Sequence, residues 1–169
     1  MPKGLKETSS LITISTDIVE SAANTFTQAQ VDLQLNPLDN EVFVVQAIDI
    51  QSSSPDLVTG TNTAVTCGVS TTSRTTVGSL ADSNCLARLT KSIRSDAVNA
   101  VSIVENSADT PNSMLEYIGI IATNDFFLQI LGNGNTSAKN FQCRVYGYRA
   151  RATDGAVYAA LVQSEILSS

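Results

Sequence analysis

The fold is decided by two neighbouring stretches, Thr25–Leu35 (TFTQAQVDLQL) and Glu41–Gln51 (EVFVVQAIDIQ). In the first, Ala29, Val31, Leu33 and Leu35 alternate with Gln28, Gln30, Asp32 and Gln34. Successive side chains of a strand point to opposite faces, so this pattern describes a strand with one face on a core and the other in water. The second stretch is apolar on both faces, with Val42, Val44, Ile48 and Ile50 set against Phe43, Val45 and Ala47. Such a strand is central in its sheet or covered on its second side. Between them, Asn36-Pro37-Leu38-Asp39-Asn40 reads as a turn, because proline presets one dihedral and Asn and Asp bond back to their own backbone.

The same rhythm extends in both directions. Short runs rich in Val, Ile, Thr and Phe, separated by Ser, Asn, Asp, Gly and Pro, predict strands over residues 11–19, 63–69, 97–104, 113–122, 126–131 and 140–152, with a short one at 75–77. Gly132-Asn133-Gly134-Asn135 reads as a loop closing a hairpin between the last two long runs. Asp154-Gly155 is a second hairpin signal that folds 156–162 back onto 141–152; the alternative is a C-terminal helix capped by Asp154, with Val157 and Leu161 on one face. Residues 82–95 predict the one short helix, since Cys85, Leu86, Leu89 and Ile93 fall at helical spacing behind a capping Asp82 or Ser83. With no helices between the strands, the expectation is an all-β chain: an antiparallel β-sandwich of eight to nine strands, a jelly roll, with one short helix. Residues 1–10 form an N-terminal arm and 11–169 a single sandwich domain.

Composition narrows the chemistry. The chain has 169 residues, 43% hydrophobic and 15% charged, enough to bury a core and the reverse of a disordered composition. A net charge of −6 excludes a surface that is wholly a nucleic-acid clamp and leaves room for a local basic patch. There is no histidine and no tryptophan. Ser-His-Asp and Cys-His nucleophile systems, HExxH zinc sites and His-Cys zinc fingers are therefore absent, and an enzyme is not expected. Cys67, Cys85 and Cys143 form neither a CxxC pair nor an even set, and are expected as reduced thiols. The start MPKGLKETSS has no apolar stretch of signal-peptide length, and no run is long enough to span a bilayer. The sequon Asn135-Thr136-Ser137 is read as accidental.

The candidate sites are basic. On the expected helix, Arg88, Lys91 and Arg94 recur every third residue, either as a solvated face or as a patch for nucleic acid or an acidic partner. On the strand at 140–152, Arg144 lies opposite in face to Arg149 and Arg151 and shares its face with Tyr146 and Tyr148. Arg149 and Arg151 read as cross-strand ion pairs, while Arg144 beside two tyrosines suits a phosphate or a stacking contact. Asp32 and Glu116 fall on polar strand faces, and Asp49 is read as facing outward from an apolar strand. No cofactor is expected. Asp109–Asn112 lacks the calcium-loop spacing, which leaves calcium only a carboxylate cluster assembled across a subunit boundary. Gly132-Asn133-Gly134 opens no helix and lacks the Lys-Ser/Thr pair of a phosphate loop.

The series Thr25–Leu35, Glu41–Gln51, Ala97–Val104, Phe126–Leu131 and Asn140–Ala152, with loops such as Gln51-Ser52-Ser53-Ser54-Pro55-Asp56, resembles the single jelly-roll capsid proteins of small icosahedral, tailless viruses. The resemblance covers most of residues 10–165 and is one of pattern. It implies a structural protein of the virion that assembles with copies of itself and with other virion proteins. One departure matters. Many such proteins carry a long Arg/Lys-rich N-terminal arm that neutralises the genome, and here only Lys3 and Lys6 stand in that place. Direct nucleic-acid contact is then weak or none, shared with another protein, or supplied by Arg88, Lys91 and Arg94. The alternative class is a non-enzymatic β-sandwich binding module: a fibre tip, an adhesin or a carbohydrate-binding domain.

Overall fold

The computed structural model describes residues 3–106 and 115–167. Among these residues lie ten strands, one α-helix and a 3-10 turn at Pro37–Asp39: β1 (Leu5–Glu7), β2 (Ile12–Val19), β3 (Thr27–Asp32), β4 (Glu41–Ser52), β5 (Thr63–Ser70), β6 (Cys85–Ser95), β7 (Ala100–Asn106), β8 (Gly119–Ile121), β9 (Asp125–Asn133), β10 (Asn140–Ala152) and α1 (Gly155–Leu167). Two antiparallel sheets result. In the first, β10 is flanked on one edge by β4, then β8, and on the other by β2 and β1; the second runs β3-β9-β5-β6-β7. From β2 onward every connection crosses between the sheets except β5–β6–β7. The orders β2-β10-β4-β8 and β3-β9-β5-β6 are the paired Greek keys of a jelly roll, with β1 and β7 added at the edges.

The inner faces of the two sheets enclose the main core, in which Phe43, Phe126, Phe141, Ile121, Leu128 and Ile130 are fully buried. A second, smaller apolar cluster lies on the outer face of the first sheet. There Val157, Tyr158 and Leu161 of α1 pack over Val42, Val44, Tyr148 and Ala150. The helix is why β4 is apolar on both faces. A β-bulge completes the explanation: Tyr146 stands opposite Ala47 and Gly147 opposite Val45, leaving Gln46 as the extra residue. Beyond it the faces swap, so Phe43 and Val45 share the core with Ile48. A strict period of two had placed them on opposite sides.

Four expectations are corrected. Residues 82–95 hold no helix but β6, which closes the exposed edge of β5 and buries Ala87 and Leu89. Residues 156–162 lie in α1 rather than in a strand, because both edges of β10 are already paired and no edge is left for a hairpin. Asp154 caps this helix, its Oδ1 accepting from the Val157 amide at 2.8 Å. The Gly132–Asn135 loop closes no hairpin; it carries the chain from the second sheet to the first. Residues 75–77 lie in a loop. In addition, residues 5–7 of the expected arm are strand β1, paired with residues 150–152 of β10.

Candidate functional site

The basic residues do not converge. Arg88 and Arg94 point outward from the second sheet, six positions apart on one strand, which at about 3.3 Å per residue separates them by roughly 20 Å. Lys91 points to the opposite face, and its Nζ donates to the Ser52 carbonyl at 2.8 Å, closing the end of the sandwich. Arg88 is occupied, donating to the Gly78 carbonyl at 2.6 Å. Arg144 lies on the other sheet, its Nε donating to Ser15 Oγ at 3.3 Å. Spacing by three gathers side chains on a helix and scatters them on a strand. Arg149 forms the expected cross-strand ion pair, with Glu41 at 2.7 Å, while Arg151 pairs at 3.6 Å with Asp39 in the turn before β4. Asp49 is exposed and accepts from the Tyr146 hydroxyl at 3.1 Å. Asp109–Asn112 lies outside the described residues.

The polar outer face of the first sheet, beyond α1, holds a shallow concavity of about 730 Å³. Asp17, Asp49, Gln51, Gln142 and Arg144 line it. At the sandwich end nearby, Glu20 is buried and accepts three amide hydrogens, from Thr25 (3.0 Å), Gly132 (2.9 Å) and Lys139 (2.9 Å). Next to it, Lys139 Nζ donates to Asp56 at 2.6 Å, and Asp56 also accepts from Thr136 and Ser137. Charge-assisted bonds to amides of this kind fix crossing loops in place. Asn135 belongs to the same knot: its side chain is buried and its Nδ2 donates to the Ala64 carbonyl at 2.9 Å, so the sequon nitrogen is not free. All three cysteines are free thiols, and burial pushes Cys67 and Cys143 each up to about 12. Among the described residues no three His, Cys, Asp or Glu side chains group as a metal site.

The feature that stands out is β7. It forms the open edge of the second sheet and six of its seven residues are exposed. Val101 and Ile103 face one side and Val104 the other, so the strand is apolar on both faces and, among the described residues, covered on neither. Val98, in the turn before it, is 87% exposed and Val101 61%. Edge strands are commonly guarded by lysine, proline or a bulge; β7 has none of these, and its one charge is Glu105. The β6–β7 turn fixes which backbone groups are unpaired. Asp96 N–H donates to the Asn99 carbonyl at 2.9 Å, while Ser95 N–H turns away to Asn62. In the alternating antiparallel ladder, Val101, Ile103 and Glu105 then exchange bonds with β6, and the N–H and C=O groups of Ser102 and Val104 face the open edge. The sequence marks a strand here but not its exposure, because nothing local says whether a strand is an edge.

No family model and no curated protein matches the chain. Among solved structures, it is similar to one of Desmodium yellow mottle tymovirus, at 10% identity over 88% of this chain and 87% of that one, with a TM-score of 0.28. It is also similar to a tailspike protein of Acinetobacter baumannii bacteriophage Fri1, a capsular polysaccharide depolymerase, at 11% identity. That match covers 72% of this chain and 20% of the other, with a TM-score of 0.16. Both likenesses are distant. The jelly-roll assignment stands on strand order alone. No helix among the described residues is long and apolar enough to cross a membrane.

Proposed function

We propose that this chain is a non-enzymatic structural subunit that assembles with copies of itself into a closed shell, a viral capsid or a similar particle, and that its working location is the virion. A shell subunit needs a rigid sandwich and apolar flanks rather than a chemical centre. The observation that carries the reading is β7, a sheet edge apolar on both faces whose outward backbone groups meet no further strand among the described residues. Alone, such an edge is an aggregation hazard; in an assembly it is a contact. Size-exclusion chromatography with light scattering, followed by negative-stain images of the peak, tests it. Closed particles or regular rings are the expected result, and a monomer at every salt and calcium concentration overturns it. A second reading, a carbohydrate-type binding module, is favoured by the polar concavity around Asp17, Asp49, Gln142 and Arg144. It requires a monomer or small oligomer whose melting temperature rises with a glycan.

A further inference from the structure

We propose that β7 pairs antiparallel with β7 of a second copy about a two-fold axis normal to the sheet, with Ile103 facing its counterpart across that axis. This rests on the assembly reading and names its contact. An isologous pairing must be self-complementary, because one patch meets itself, and the edge satisfies that demand in three ways.

The first is backbone. The inward-looking groups of Val101, Ile103 and Glu105 are used by β6, and those of Ser102 and Val104 face out. With Ile103 on the axis, Ser102 of each copy stands opposite Val104 of the other, so the outward groups meet as hydrogen-bonding pairs. The second is packing. The two Ile103 side chains form a non-hydrogen-bonded pair, the closer of the two antiparallel arrangements, with Val101 beside them on the same face.

The third is charge. The same register puts Glu105 of the second copy opposite Val101, whose neighbour in β6 is Arg94. Arg94 and that Glu105 are then two strand spacings apart, roughly 9.6 Å along one row of one face. Their side chains together span that gap over the small Val101, and the axis generates the contact twice. Within one copy neither residue has an ion-pair or side-chain hydrogen-bond partner among the described residues. A foreign strand could use the backbone groups, but only a second copy supplies the reciprocal Arg94 and Glu105.

The pairing would join the two second sheets into one continuous sheet with five strands from each copy. A strand of seven residues buries well under the ~800 Å² per partner of a standard interface. The isolated contact is therefore weak and reversible, and gains strength where other contacts hold many copies together.

The test uses the full chain carrying Cys85→Ser, which leaves only the buried Cys67 and Cys143. In that background Ile103→Cys should give a disulfide-linked dimer under mild oxidation, since Cα atoms about 4.5 Å apart in such a pair suit a disulfide. Ser92→Cys, one strand further in, should give none. Sedimentation velocity then reads a charge-reversal series: Arg94→Glu or Glu105→Arg alone weakens dimerisation about tenfold, and the double reversal restores it. Positions 92, 94, 103 and 105 lie on the outer face of the sheet, and Cys85→Ser is a near-isosteric change at a half-buried site, so folding is not at stake. Particles that form without the Ile103→Cys cross-link overturn the β7 pairing and leave the shell reading intact. A cross-link without rescue in the double reversal overturns the reciprocal contact of Arg94 with Glu105. A chain that is monomeric throughout overturns both.

Discussion

Gly147 of β10 lies so close to the carbonyl oxygen of Val44 that no β-carbon fits between them, and the ring of Phe43 closes the same space. This contact is the point at which the β4 bulge changes which residues face the core. Gly147→Ala forces either the bulge or Phe43 to move, and overpacking of this kind costs about 3 kcal/mol. Gly155→Ala is the control, because a β-carbon there meets nothing within 4 Å. Urea unfolding of the two variants should show a large loss for the first and almost none for the second. Equal midpoints would mean that the bulge is not fixed by this glycine.

Asp56 sets an acid limit. The hydrogen bond from Lys139, with those from Thr136, holds its carboxyl well below the usual carboxylate range. The Ser79 amide lowers Asp82 and the Asn99 amide lowers Asp96. A carboxyl depressed in the folded state adds stability that is complete above its ordinary value near 3.8 and is lost as pH falls toward the folded value. Stability should therefore hold at neutral pH and fall below about pH 4. Asp56→Asn should lower the neutral melting temperature and flatten the acid limb. An unchanged acid limb in that variant would remove Asp56 from the account.

The thiols should be silent. Burial pushes Cys67 and Cys143 to about 12 and raises Cys85 as well, so thiolate is scarce at pH 8. A colorimetric disulfide reagent should react slowly with the native chain and promptly with all three cysteines in guanidinium. Rapid reaction of two thiols in the native state would contradict the buried positions.

Most strands could be read from local alternation because an exposed face and a buried face leave different residues on even and odd positions. Residues 140–152 are a clear case. The misreading of 82–95 has a physical cause. Cys85, Leu89 and Ile93 are four apart, and a step of four returns to the same side of a strand as well as of a helix. The open edge of β5 decides between them, and no local pattern records it. The C-terminal segment was ambiguous for a related reason: its helix follows from the filled edges of β10 and the apolar Val42 and Val44 beneath it. Lys91 leaves the face it was expected to share with Arg88 and Arg94, because their segment is a strand rather than a helix. The Glu20–Lys139–Asp56 knot was illegible because its members are 36 to 119 residues apart and none belongs to a motif.

The position of β10 has a consequence for synthesis. This late strand is the centre of the first sheet, paired to β4 on one side and to β2 and β1 on the other. While the chain emerges from the ribosome, β2 and β4 have no strand between them and the core has only one wall. Folding therefore waits for residue 152 to leave the exit tunnel. The apolar edge strand β7 is made earlier and stays exposed during that wait, so its aggregation is a contest between translation speed and local concentration.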